Sequence, residues 1–296
     1  MNFGRVVTAM VTPFDQNGQI DFNKAEHLIN YLISNGTEGL VVAGTTGESP
    51  TLSKDEILSL LQFTVKVVNK RIPVIAGTGS NNTQASIELT KQTEMLGVDA
   101  VMLVTPYYNK PSQAGMYAHF EAIAKATTLP VMLYNIPGRS SVNLLPETII
   151  ELAKIKNIVA VKEASGDLDA MTRIIHETSE DFSLYSGDDS LTLPMLAIGG
   201  RGIISVSSHI IGNEMKEMIT QYQTGNPKKA ARLHQELLPI MKALFKAPNP
   251  VPVKSALAML GMDVGSVRLP LIPLDEEELN TLHQDLHYLQ KNYFVG

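Results

Sequence analysis

Along most of the chain, short apolar segments rich in β-branched residues alternate with longer segments of helical period. This alternation is typical of βαβ units that build a parallel sheet. The predicted strands lie at residues 5–12, 39–45, 73–79, 100–106, 130–136, 158–164, 183–188 and 202–206. The predicted helices lie at residues 21–34, 54–70, 83–96, 114–127, 146–154, 168–179, 190–198 and 213–223.

Eight strands, each followed by a helix, predict an α/β protein with a closed (β/α)₈ barrel, a TIM barrel. An open doubly wound sheet is the alternative, but it would usually carry a glycine-rich turn after its first strand, where this chain has Thr12-Pro13-Phe14-Asp15. Beyond residue 224 the alternation stops, and helical segments remain at 227–245, 252–260 and 275–291. We therefore expect a barrel over residues 1–224 and a C-terminal helical region over residues 225–296 that packs on it.

Composition and charge narrow the classes of partner. Hydrophobic residues make up 44% of the 296 residues, enough for a large core, and the net charge of −6 gives no basic face for nucleic acid. The sequence contains no apolar segment of about 20 residues and no signal-peptide pattern at its start. We therefore expect a cytoplasmic protein with neither a nucleic-acid nor a membrane partner.

The residue types give no reason to expect a metal or a cofactor. Cysteine is absent, which excludes disulfides, iron–sulfur clusters and thiolate zinc sites. His283 and His287 stand four residues apart on the last predicted helix, but no third type of ligand accompanies them. The glycine cluster at Gly199–Gly202 precedes the eighth strand, which is the wrong end of a barrel for a phosphate site. A sugar phosphate is therefore not the expected substrate.

Lys162 is the residue most informative about chemistry. It lies in the apolar strand segment IVAVK, and because both faces of a barrel strand are buried, its amine is expected to lose its proton. A neutral amine is the nucleophile that forms an imine with a carbonyl carbon. The alternative is a structural lysine paired with a carboxylate, but the adjacent Glu163 should point to the opposite face of the strand. Lys162 is therefore the candidate nucleophile.

Three further groups stand at the carboxyl ends of predicted strands, where the active sites of this fold lie. Tyr134 ends the strand before Lys162 and could exchange protons there, although a core tyrosine is the commoner case. The turn Gly44-Thr45-Thr46-Gly47 offers hydroxyl and N–H groups to a carboxylate, or is an ordinary βα turn. In either case Glu48 could cap or brace the turn, and it is given no catalytic role. Arg139 follows in a Pro-Gly loop and could bind a carboxylate, or is a plain surface arginine.

Short motifs recur at strand ends and in the C-terminal region: GTTGESPTL (44–52), RIPVIAGTG (71–79), TPYYNKPSQ (105–113), LYNIPGRS (133–140), VKEASGD (161–167), YSGDD (185–189), GIISV (202–206), NPVPVK (249–254) and RLPL (268–271). In this order and spacing they resemble the dihydrodipicolinate synthase family, the 4-hydroxy-tetrahydrodipicolinate synthases of the N-acetylneuraminate lyase superfamily. The resemblance extends over essentially the whole chain. It implies a class I aldolase-type lyase on a (β/α)₈ barrel.

The resemblance also implies catalytic roles. Lys162 would form the imine with pyruvate, and Thr45 would relay protons between Tyr134 and Tyr108. Tyr108 would be contributed by the neighbouring subunit, so that a homodimer is the smallest competent unit and a homotetramer, a dimer of dimers, is the implied assembly. A stable dimer remains an open alternative.

Substrate-binding roles follow from the same resemblance. Thr46 and the backbone of Ile204 would hold the carboxylate and keto-derived groups of pyruvate, and Arg139 would bind the carboxylate of L-aspartate 4-semialdehyde. The product, 4-hydroxy-tetrahydrodipicolinate, would begin lysine or diaminopimelate biosynthesis. An N-acetylneuraminate or 2-keto-3-deoxysugar aldolase is the alternative within the superfamily, and a non-catalytic barrel that binds small acids is the alternative outside it.

One departure from the family pattern generates a prediction about regulation. Members that lysine inhibits line an interface pocket with two histidines and a glutamate, and those positions align with Lys54, Ile57 and Ala85 here. Loss of an acidic group and gain of a cation disfavour a cationic effector. We expect L-lysine to inhibit weakly or not at all in a steady-state assay, and half-inhibition below the millimolar range would contradict this.

Overall fold

Eight parallel strands close into a barrel in chain order, with β1 paired to β8, so the predicted architecture is confirmed. The computed structural model describes residues 2–293, with side chains described up to residue 287. The strands are β1 (Val6–Ala9), β2 (Gly39–Val42), β3 (Val74–Gly77), β4 (Ala100–Val104), β5 (Val131–Asn135), β6 (Ile158–Glu163), β7 (Ser183–Ser186) and β8 (Gly202–Ser205).

Helices surround the barrel and continue beyond it. They are α1 (Phe22–Ser34), α2 (Lys54–Val68), α3 (Thr83–Glu94), α4 (Gln113–Ala124), α5 (Pro137–Ser140), α6 (Pro146–Leu152), α7 (Leu168–Glu177), α8 (Thr192–Ala197), α9 (Ser208–Gln223), α10 (Pro227–Ala243), α11 (Val251–Met259) and α12 (Glu276–Tyr293). Several begin where the sequence predicts, because Ser53, Asn82 and Asp167 each accept a hydrogen bond from a first-turn N–H group.

The apolar side chains form two cores. Alternate residues of the strands pack inside the barrel, in a cluster that includes Val7, Ile75 and Met132. The remaining strand residues, such as Val161, pack outward against the helices. Because successive strand residues point to opposite faces, this division fixes which polar side chains enter the barrel.

The structure differs from the predicted elements chiefly in three places. Strand β1 ends at Ala9 rather than at residue 12. Helix α9 begins at Ser208 rather than near residue 213, and its backbone is non-helical at Ile211. The Pro-Gly segment predicted as a loop forms the short helix α5, because Pro137 fits the first helical position, where no N–H group is needed. This correction places Arg139 on a helical turn.

The C-terminal helices lie against the barrel. Helix α10 packs along α9, and α12 packs on α10 and α11. The segment between α10 and α11 returns to the carboxyl end of the barrel, where Asn249 contacts Thr46. The division of the chain at residues 224–227 stays a prediction.

Two features are absent from the described part of the chain. No helix there combines the length and apolarity needed to cross a bilayer. Nor do three or more His, Cys, Asp or Glu side chains within it converge on a possible metal site. The His283 and His287 rings stack on each other, with centroids 6.5 Å apart.

Candidate active site

Lys162 lies at the carboxyl end of β6, in register with Tyr134 on β5 and Tyr185 on β7. Ala160, two residues earlier on β6, packs inside the barrel, so strand alternation directs the Lys162 side chain inward as well. The amine lies 4.2 Å from the centroid of the Tyr134 ring. The predicted nucleophile therefore stands inside the barrel at the end where active sites form.

The Lys162 amine is not ion-paired. Glu163 points away from it, as predicted, and accepts hydrogen bonds from the Asn135 side chain at 3.0 Å and the Ser165 N–H at 2.7 Å. Among the described residues, no carboxylate lies within ion-pair distance of the amine. The structural alternative, a lysine held by a salt bridge, does not describe this residue.

Burial controls the charge of this amine. Lys162 is only 5% exposed, and desolvation lowers its pKa to about 8. The negative charge of Asp189 raises the pKa of Lys162, and the positive charge of Arg139 lowers it further, but burial is the largest cause. About a tenth of the molecules would therefore carry a neutral amine at pH 7, against less than one in a thousand for an exposed lysine.

Tyr134 connects the amine to the turn after β2. A hydrogen bond joins its phenol to the Thr45 side chain, and burial raises the pKa of Tyr134 to about 12. The phenol therefore keeps its proton and is able to donate it to a leaving hydroxyl group. Lys162, Tyr134 and Thr45 are thus brought together as the sequence predicts.

A cavity of about 330 Å³ opens beside this group, and Thr45 and Arg139 contribute to its wall. Lys162 and Tyr134 are not among its described lining residues; the Tyr134–Thr45 hydrogen bond connects them to the wall. Much of the remaining wall is apolar, and Ile57 belongs to it. The cavity is thus large enough for a small acid and its aldehyde partner.

The other predicted site residues occupy different surroundings. Arg139 is exposed, and its charge lowers the pKa of both Lys162 and Tyr134. Ile204 lies on β8 among the side chains inside the barrel. Tyr108 is 88% exposed with a left-handed backbone (φ 71°), and among described residues the cavity wall includes Tyr107 instead. The isolated chain therefore does not bring Tyr108 to its own site.

Asp189 is a buried carboxylate to which the sequence assigns no role. Its oxygens accept hydrogen bonds from the Ser205 hydroxyl at 2.5 Å and from the Ser207 N–H and hydroxyl at 2.9 and 2.8 Å. Its charge also acts on Lys162. Asp189 therefore joins the loops after β7 and β8 and sets the electrostatic surroundings of the amine.

Gly187 leaves room for the Lys162 side chain. A Cβ atom at this position would lie 3.1 Å from Lys162 Cε and 2.7 Å from the Ala164 Cβ. The 2.7 Å contact is shorter than Cβ atoms show, and the 3.1 Å contact would push the lysine stem aside, so glycine lets the backbone after β7 approach Lys162.

The turn that carries Thr45 is braced from the C-terminal region. Glu48 has a left-handed backbone (φ 57°) and a buried carboxylate that lies 2.6 Å from the Lys254 amine. Its second oxygen accepts a hydrogen bond of 2.9 Å from the Arg268 N–H. This confirms that Glu48 braces the turn, but the sequence did not reveal its partner, because Lys254 is distant along the chain and lies on helix α11.

A (β/α)₈ barrel with an unpaired, buried lysine beside a tyrosine on the neighbouring strand is typical of lyases that form an imine. The model of the dihydrodipicolinate synthetase family matches residues 2–289, and the chain belongs to this family. Its sequence is 67% identical to the 4-hydroxy-tetrahydrodipicolinate synthase of Bacillus velezensis over 94% of this chain and 96% of that one. It is 65% identical to the enzyme of the same name from Bacillus subtilis, over 98% of this chain and all of the relative.

The solved structures that resemble this chain belong to the same family. The dihydrodipicolinate synthase of Bacillus anthracis superposes with a TM-score of 0.96 at 61% identity, covering 97% of this chain and 98% of that one. The enzyme of Cyanidioschyzon merolae, solved with lysine bound, superposes with a TM-score of 0.95 at 49% identity, with the same coverage. The predicted synthase activity is therefore confirmed over the sialate and ketodeoxysugar aldolase alternative.

The lowered pKa of Lys162 predicts how imine formation depends on pH. Only the neutral amine attacks, so the rate at subsaturating pyruvate should rise about tenfold per pH unit below pH 8 and level off above it. Arg139→Gln removes a cation that lowers the pKa, so its curve should move to higher pH. The measurement is the rate of borohydride-trapped adduct formation from pH 6 to 10. A rate that is flat across this range, or that rises only above pH 10, would contradict the prediction.

Proposed function

We propose that this chain joins pyruvate to L-aspartate 4-semialdehyde through an imine on Lys162, forming 4-hydroxy-tetrahydrodipicolinate. The observation that carries the proposal is the Lys162 amine, which is buried, not ion-paired, and in contact with Tyr134. The names of the relatives support the overall reaction. The roles of Lys162, Tyr134 and Thr45 rest on the geometry of this site, and the other residue roles rest on the family resemblance.

The reaction begins with attack of the neutral Lys162 amine on C2 of pyruvate. The resulting carbinolamine loses its hydroxyl group as water, and the Tyr134 phenol supplies the proton that this loss needs. Because Tyr134 is hydrogen-bonded to Thr45, the proton is replaced along that bond. The product of this step is a protonated imine between Lys162 and C2.

The carbon–carbon bond forms next. Loss of a proton from C3 to the Tyr134–Thr45 relay converts the protonated imine to an enamine. C3 then attacks the aldehyde carbon of the semialdehyde, and the aldehyde oxygen takes up a proton from the same relay to become the hydroxyl group of the product. The amine of the semialdehyde attacks C2, which closes the ring and releases the Lys162 amine. The bond to the protein is thereby broken, and the Lys162 amine is regenerated for the next turnover.

Three residues hold the two substrates by their polar groups. Thr46 and the backbone of Ile204, at the carboxyl ends of β2 and β8, receive the carboxylate and keto-derived groups of pyruvate. Arg139 lines the cavity and binds the carboxylate of the semialdehyde. The Arg139 side chain is exposed, so it remains accessible to a second substrate after the imine has formed.

The active assembly contains at least two copies of the chain. Tyr108 exposes 88% of its surface in the isolated chain, so a proton relay that includes its phenol requires the Tyr108 of a second copy. A homodimer is therefore the smallest competent unit. The homotetramer and the cytoplasmic location stay predictions.

Weak sensitivity to lysine belongs to the same proposal. Ile57 and Ala85 stand at two of the three positions that line the effector pocket in lysine-inhibited members, and neither side chain offers a hydrogen bond or a charge to an ammonium group. Lys54 is exposed at the start of α2 and repels a cation.

The proposal is tested by trapping the imine. With pyruvate and borohydride, mass spectrometry should find a stable adduct on Lys162, and the protein should consume pyruvate and aspartate semialdehyde. Lys162→Ala should fold normally, give no adduct and lose nearly all activity. Lys162→Arg should do the same, because a guanidinium keeps its proton and cannot form an imine.

Lys156→Ala is the matched control, because Lys156 is exposed just before β6. This variant should keep the adduct and the activity. An adduct that persists in Lys162→Ala would remove Lys162 from the mechanism, and a collapsed fold would give it a structural role instead.

A further inference from the structure

The C-terminal region reaches the predicted pyruvate site through one side chain. Asn249, just before helix α11, is 7% exposed, and its Nδ2 lies 2.9 Å from the hydroxyl oxygen of Thr46. Thr46 is itself 3% exposed. This hydrogen bond links residues more than two hundred positions apart, so the turn after β2 does not form the site alone.

The direction of this hydrogen bond determines what the Thr46 hydroxyl is able to do. An amide NH₂ group only donates, so the Thr46 oxygen is the acceptor and its single hydrogen remains available. Within the described part of the chain, no group accepts that hydrogen. A buried hydroxyl with a free hydrogen is a donor for a negatively charged ligand.

A second contact holds the same turn. The buried Glu48–Lys254 ion pair, 2.6 Å between charged atoms, fixes the residue that ends the turn to helix α11. Lys254 also donates to the Ser266 carbonyl at 2.8 Å. Because Asn249 and Lys254 lie five residues apart, one segment of the C-terminal region anchors both sides of the turn.

We propose that Asn249 is a positioning residue for pyruvate: by donating to the Thr46 oxygen, it turns the Thr46 hydrogen toward the pyruvate carboxylate. The proposal rests on the proposed function, in which Thr46 binds that carboxylate. It also gives the C-terminal region a part in substrate binding that is separate from its packing on the barrel.

Two substitutions of Asn249 separate this role from a structural one. Asn249→Asp keeps the shape but can only accept, so it draws the Thr46 hydrogen away from the substrate and adds a negative charge beside a carboxylate. It should raise the KM for pyruvate about 10- to 100-fold, the effect of losing a hydrogen bond to a charged group, with kcat changed much less. Asn249→Ala leaves the Thr46 hydrogen free but unoriented, and should raise the KM only about threefold.

Thr46→Val shows whether Asn249 acts through Thr46. In the Thr46→Val background, Asn249→Ala should raise the KM for pyruvate no further, because no hydroxyl remains to be oriented. This double-mutant cycle shows whether Asn249 acts through Thr46 even if the Asn249→Asp variant does not fold. Asn280→Asp is the matched control, because it makes the same chemical change at an exposed position on α12, and it should leave the KM unchanged.

Three outcomes would overturn the proposal. A milder effect of Asn249→Asp than of Asn249→Ala would mean that the amide accepts from Thr46 instead of donating. A lower melting temperature with an unchanged KM would mean a structural role, and effects that simply add in the cycle would mean that Asn249 acts independently of Thr46. Borohydride trapping at saturating pyruvate separates these results from failure of the proposed function. The Asn249 variants should still give the Lys162 adduct. If the unmodified protein gives no adduct, the imine chemistry itself is wrong.

Discussion

Taking an ammonium group out of water costs free energy unless a carboxylate accompanies it, and Lys162 has none within ion-pair distance among the described residues. Part of this cost is avoided by loss of the proton, which is why the pKa of Lys162 falls to about 8. The surrounding structure maintains this condition. Strand alternation turns Glu163 outward, Gly187 leaves space for the lysine stem, and the Asp189 carboxylate is occupied by hydrogen bonds from the β8 loop.

A second buried lysine shows what pairing does to the same chemical group. Burial also lowers the pKa of Lys254 to about 8, but Glu48 lies 2.6 Å from its amine and opposes the shift. The Lys254 amine lies 4.2 Å from the Phe14 ring centroid and donates to the Ser266 carbonyl. Its hydrogen-bonding capacity is used within the protein, so it stabilises the turn after β2 and is not a nucleophile. The partner, rather than burial, distinguishes the two lysines.

The order of strands and helices could be predicted from sequence, because it depends on the local hydrophobic period. The site side chains at the ends of strands could be predicted for the same reason. Strand alternation predicted that Lys162 enters the barrel and that Glu163 does not. The Lys254–Glu48 pair and the Asn249–Thr46 hydrogen bond could not be predicted, because each joins residues about two hundred positions apart and depends on how α11 packs. No periodic pattern encodes such contacts. The early start of helix α9 was missed for a different reason: a kink at Ile211 interrupts the regular helical period near its beginning.

The account depends on Lys162 acting as an uncharged nucleophile toward C2 of pyruvate. A crystal structure of the protein soaked with pyruvate measures this most directly. Continuous electron density from Lys162 Nζ to C2, with the pyruvate carboxylate at the Thr46 hydroxyl, is the predicted result. Pyruvate bound without a covalent bond, or Lys162 turned to form an ion pair with a carboxylate, would contradict it.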